Sequence, residues 1–207
     1  TLGFTWWWDG RLGYTGDSLS KFERADEYAR KATELDSSVS WVIGLSAMAA
    51  APLGRHEEAI ENARRGVMLY PGNADIRAFL AFTLMHAAQY QEAIQHYRAA
   101  MALNPLYPIW YCTGLSTSLR SLGQLDEALA LADEVLQRQS GHLQSWITRA
   151  FVMQERGRQT DAQLAVKEIK RIAPSLRTGH LANLFVINDP EAMGKVANNL
   201  RKAGMPD

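Results

Sequence analysis

An alanine returns along this chain at a nearly constant interval, and that interval limits the fold more than any other feature. Ala25, Ala59 and Ala93 follow one another at 34 residues; Ala128 comes 35 residues after Ala93, and Ala162 another 34 on. A charged residue precedes each: Arg24, Glu58, Glu92, Glu127 and Asp161. Twelve positions before the last four alanines stand the small residues Ala47, Ala81, Ser116 and Ala150, and five before stand Gly54, Ala88, Gly123 and Gly157. Twelve positions after come Pro71, Pro105 and Pro174, with Ser37 and Ser140 in the other two copies.

The copy from Asn73 to Pro105 shows what one unit is. Ile76, Phe79, Leu80, Phe82, Leu84 and Met85, then Tyr90, Ile94, Tyr97 and Met101, recur at helical spacing on either side of the turn Ala87-Ala88-Gln89. Asn73 suits an N-cap, Asp75 complements the helix dipole, and Asn104-Pro105 ends the second helix. Small residues let the two helices approach, and glycine at the turn permits the reversal. A hairpin of this kind cannot bury its apolar stripe alone, so neighbours must cover it. In period and offsets the chain resembles the tetratricopeptide repeat (TPR) family across about residues 18–174. The resemblance implies an all-α, right-handed α-solenoid of about five helix hairpins plus a C-terminal capping helix.

Three segments are expected. Residues 1–17 form a short first helix and loop, residues 18–174 the repeat array, and residues 175–207 a helix and a capping helix. Trp6, Trp7 and Trp8 are consecutive and cannot share one helix face. They either cap the open end of the core or offer a second interface to an upstream domain or another copy. Ser18–Leu35 reads as a helix, then Ser37 to about Ala51 with a break or bend near Pro52, then Arg55–Leu69. Glu57 and Glu58 open that last helix and Arg64 and Arg65 close it, each matching the dipole. The one extra residue of the fourth copy falls in the linker around Pro105–Pro108, with Pro108 as first helical residue. The fifth copy runs from His142 to about Ala173. Ser175–Ile187 reads as a helix, and Asp189-Pro190 starts a final one, Glu191 to about Ala203. Its polar face carries Lys195, Asn198, Asn199, Arg201 and Lys202, as an end cap requires.

Lys and Arg balance Asp and Glu, 22 against 22, so nothing points to nucleic acid or an anionic membrane as partner. No apolar run is long enough for a membrane span, so no membrane insertion is expected. A lone Cys112 precludes an internal disulfide and favours a reducing, cytoplasmic setting. A start at Thr1, inside an aromatic stretch and without a leader, reads as a piece of a longer protein. Catalytic residues, metal ligands and cofactors are expected to be none. No phosphate-loop motif occurs, the five histidines lack ligand spacing, and His86 with His96 would need further ligands. Cys112 reads as a packing residue.

In the TPR family the first helix of each repeat lines a peptide-binding concave groove, so the resemblance implies groove positions here. Mapped by offset from the alanines, the candidates are Trp41 and Met48; Phe82, Met85 and His86; Trp110, Thr113, Thr117 and Arg120; and Gln144, Phe151 and Gln154. Gly44, Ala51, Pro52, Asp75, Ala78, Ser121, Ile147 and Glu155 share those offsets. Relatives that bind acidic chaperone tails place several basic residues there, whereas this set has only Arg120. The aromatic character fits an apolar helix or extended segment, unless some of these side chains pack between repeats instead.

The phrases HEEAIENARRGVMLYPGNADIRAFLAF, YQEAIQHYRAAMALNP and NDPEAMGKVANNLRKAGMPD are similar to the C-terminal TPR regions of bacterial class III adenylate/guanylate cyclases and related multidomain signalling proteins. That resemblance implies a non-catalytic regulatory or assembly region whose partner is a protein segment, or another domain of the parent chain; a homodimer is also allowed. Signal transmission to a catalytic part, or small-molecule sensing in the groove, are the alternatives.

Overall fold

A computed structural model describes residues 2–12, 17–181, 185 and 189–207. Among these the chain is all-α, with no strand. It divides into two compact units, one of residues 1–107 with 183–188 and one of residues 108–182 with 189–207. The second begins at Pro108, beside the extra residue of the fourth copy. That linker has five residues, 104–108, against four in 36–39, 70–73 and 139–142.

The first unit holds α1 (Leu2–Leu12), α2 (Ser18–Leu35), α3 (Ser40–Ala50), α4 (His56–Leu69), α5 (Ala74–His86) and α6 (Tyr90–Leu103). Pro52 does not kink α3. The helix passes instead into a 3-10 turn, Ala51–Leu53, which tolerates the missing amide donor. Asn73 caps α5, its side chain accepting from the Ile76 amide at 3.1 Å. The second unit holds α7 (Ile109–Ser121), α8 (Leu125–Arg138), α9 (Leu143–Glu155), α10 (Gln159–Ile172), a 3-10 turn at Thr178–His180, and α11 (Pro190–Lys202). Pro108 is the N-cap of α7 and not its first helical residue. Asp189 caps α11 by accepting from the Ala192 amide at 2.9 Å. The helix expected over Ser175–Ile187 lies partly outside the described residues, as does the loop expected before Asp17.

One turn closes each hairpin. The residue at the reversal takes a left-handed φ, 76° at Gly54, 59° at Ala88, 74° at Gly123 and 69° at Gly157. The next amide reaches back to a carbonyl in the preceding turn of helix: Arg55 to Ala50, Gln89 to Leu84, Gln124 to Leu119, Arg158 to Met153. This Schellman closure satisfies orphan carbonyls and sets the reversal. Ala25, Ala59, Ala93, Ala128 and Ala162 are all sealed from solvent. Across one crossing the Ser116 hydroxyl donates to the Ala128 carbonyl at 2.8 Å, so a larger side chain at either position would force the helices apart.

Between successive hairpins of one unit, polar clips join the second helices. Arg64 pairs with Glu92 at 3.0 Å, and Arg65 donates to the Ser37 carbonyl at 2.6 Å. These arginines sit well inside α4 and bind the neighbouring hairpins, which corrects their expected place at its C-terminus. In the second unit Lys195 pairs with Glu155 at 3.0 Å, and the Asn199 amide donates to the same carboxylate at 2.9 Å. Two residues expected on the outer face of the last helix therefore face α9.

Candidate functional site

In the first unit α1 lies against α3 and α5 because its packed face is made of small residues. A Cβ on Gly3 would run into Leu45, and one on Gly10 would press on Phe22. Gly44 does the same for α5, since a Cβ there would run into the Phe79 ring. Phe79 thus crosses the bare backbone of α3 and meets Phe4 at 6.3 Å and Trp41 at 5.8 Å between ring centroids; Phe4 and Trp41 meet edge-on at 5.7 Å. One turn further along, Trp7 meets Phe82 at 5.4 Å and donates its indole N–H to the Met48 carbonyl at 2.9 Å.

This aromatic layer decides which sequence candidates stay open. Trp41 is 54% exposed. Met48, Phe82, Met85 and His86 are buried, the His86 ring 4.0 Å from that of Phe82. The tryptophan triplet divides: Trp7 is in the core at 2% exposure, while Trp6 and Trp8 lie on the surface. Both readings of the triplet hold, each for different members, because consecutive helical residues point about 100° apart. Sequence offsets missed Phe4, Phe79 and Arg11. Their signal was the helical spacing Phe4, Trp7, Arg11, which the irregular first segment obscured.

In the second unit Trp110, Thr113, Gln144 and Gln154 are half-buried, and Thr117, Arg120 and Phe151 are buried. The hydroxyls of Thr113 and Thr117 donate to the carbonyls of Ile109 and Thr113 at 3.0 and 2.8 Å, so each is committed to its own helix. Arg120 and Lys195 both stand over the Phe151 ring, at 5.6 and 5.7 Å from its centroid, two cations sharing one aromatic ring. Partial burial pushes the Glu155 carboxyl up, but the bonds from Lys195 and Asn199 hold it below the ordinary carboxylate range.

The groups with chemical potential are quiet. Burial, reinforced by Glu134 with its carboxylate 3.9 Å away, raises the Cys112 thiol to about 11, so it is protonated at neutral pH. His96 stands 3.7 Å from Glu92, and burial moves its pKa down. Among the described residues no three metal-ligating side chains gather, and no helix is long and apolar enough to cross a membrane.

Three tetratricopeptide repeat family models match residues 10–39, 53–111 and 111–178, together most of the chain. The chain belongs to the tetratricopeptide repeat family. Solved structures carry the same fold. PilW, a widely conserved type IV pilus biogenesis factor, is 17% identical with a TM-score of 0.69, over 98% of this chain and 89% of its own. A thermophilic TPR protein of Thermus thermophilus is 16% identical with a TM-score of 0.68, over 96% and 99%. YrrB, a TPR protein with an unusual peptide-binding site, is 16% identical with a TM-score of 0.58, over 84% and 90%. At these identities the likeness extends to the fold alone. Curated protein sequences give no match.

Proposed function

We propose that this TPR chain is a non-catalytic protein-interaction module whose ligand is an apolar or aromatic segment of a partner protein. The carrying observation is Trp41, a large aromatic half-exposed on a first helix and braced at the edge by Phe4 and Phe79. A rigid, pre-oriented ring gives contact area with little loss of side-chain freedom, which is how aromatic anchors dominate interfaces. Trp8, one helical turn from Phe4, and Trp6 extend the exposed aromatic surface on α1. Trp110, Thr113, Gln144 and Gln154 are the second unit's candidates, being the half-buried members of its first helices. Met48, Phe82, Met85, His86, Thr117, Arg120 and Phe151 act beneath this surface, holding its shape. The peptide-binding site named for YrrB supports a peptide as the ligand class.

The test is affinity capture from the parent organism's lysate with the native chain and with Trp41→Ala, after circular dichroism has matched the two. Partners lost by the variant support the reading. Equal recovery would move the binding face to Trp6 and Trp8, where an upstream domain or a second copy would dock.

The finer reading is that this module is the C-terminal regulatory or assembly region of a bacterial signalling protein with an upstream adenylate/guanylate cyclase domain. The likeness of its repeat and tail phrases to such regions favours it. Sequencing the parent gene upstream of Thr1 tests it directly, and a parent without a cyclase domain would end it.

A further inference from the structure

Arg11, near the end of α1, has an unusual setting. Its guanidinium carbon lies 5.6 Å from the Trp7 ring centroid and 5.9 Å from that of Phe82. Nη1 is sealed from water and has no hydrogen-bond acceptor, while part of the side chain stays open to solvent. Asp9, the carboxylate on the same helix, is committed to Lys21 at 3.1 Å. On α6 the fully buried Tyr97 hydroxyl, also without a hydrogen-bond partner, lies within electrostatic reach of this guanidinium. Burial brings Arg11 down to about 10, with Tyr97 opposing the fall, so it is still a cation at neutral pH.

A sealed cation without a counter-charge destabilises a fold, and ring faces offset only part of that. Two donors, a guanidinium N–H and a phenol O–H, stand close together, and no described residue supplies them an oxygen. We propose that Arg11, held over Trp7 and Phe82 beside Tyr97, receives a carboxylate carried by the partner segment. This end of the first unit then selects an acidic residue within an otherwise apolar ligand. A carboxylate fits better than a phosphate, because one cation among aromatic rings balances one negative charge and leaves a dianion half-compensated. The planar fork can grip two carboxylate oxygens, and the surrounding rings strengthen the pair by excluding water. The inference rests on the interaction-module reading above and names one feature of its ligand.

The test follows the Arg11 side-chain NMR resonance of the whole chain during titration with sodium acetate, against sodium chloride at equal ionic strength. A saturable shift with acetate alone is expected, weakened in Tyr97→Phe and absent in Arg11→Gln. Arg11→Lys, which keeps the charge but loses the fork, should bind on the order of tenfold more weakly. Capped apolar pentapeptides bearing a central Glu or Gln, and the Gln peptide with a free C-terminus, then separate a side-chain carboxylate from a terminal one. An Arg11 resonance that responds equally to chloride and acetate overturns the proposal. If acetate binding is absent while Trp41→Ala still loses its captured partners, the carboxylate inference has failed and the interaction module stands.

Discussion

Ala88 carries a φ of 59° at the turn position where three other hairpins have glycine. A Cβ in the left-handed region costs about 1–2 kcal/mol, and glycine's greater freedom in the unfolded chain returns part of that. Ala88→Gly should therefore stabilise the protein by about 0.5–1 kcal/mol, read as a higher urea midpoint with an unchanged slope. Gly123→Ala, the reverse exchange at φ 74°, should lower it. Cys112 offers a second test at this scale. Its thiol is raised to about 11 in the folded chain, from an ordinary value of 9.0. The unfolded chain ionises first, so stability is complete below about pH 9 and falls as pH rises toward about 11. At about pH 8, below the ordinary thiol range, iodoacetamide should label Cys112 only after denaturant is added. Rapid labelling of the native protein would show that the thiol is accessible.

At the scale of elements, the helices were legible from local signals and their contacts were not. Asn73, Asp189, the proline linkers and the glycine turns are short-range devices, and they place the helix ends within a few residues. Pro108 is N-cap and not first helical residue, a boundary that differs by only one peptide. Gly44 was mapped to a groove, yet its missing side chain is the gap over which Phe79 reaches α1 and Trp41. Gly44→Ala is expected to overpack that crossing and cost about 1–3 kcal/mol, even though alanine is the better helix former. A variant as stable as the parent in thermal melts would mean that Phe79 does not occupy that gap. Arg64 and Arg65 make the same point with charge. Dipole reasoning explains a basic residue near a helix end, but here the partners are Glu92 and the Ser37 carbonyl of adjoining hairpins.

For the whole molecule, the chain as it stands is expected to produce no cyclic AMP or cyclic GMP from ATP or GTP, because its sequence has neither a phosphate loop nor the paired carboxylates that hold catalytic magnesium. Turnover by the purified protein, surviving removal of trace contaminants, would overturn that expectation. The repeat period by itself determined the all-helical hairpin series, the family, the buried alanines and the linker holding the extra residue. Those follow from one unit repeated, in which each close crossing demands a small residue at a set offset. Only the tertiary structure decided which groove candidates are open. Trp41 is exposed while Phe82, one helical turn from buried Ala78, is covered by Trp7 of a helix that the repeat pattern does not describe. The tertiary structure alone also placed Arg11 over Trp7 and Phe82 beside Tyr97. Exposure depends on what a neighbouring helix lays over a side chain, and that neighbour is specified by residues far away in the sequence. Periodicity reports a residue's place on its own helix and carries no information about the cover.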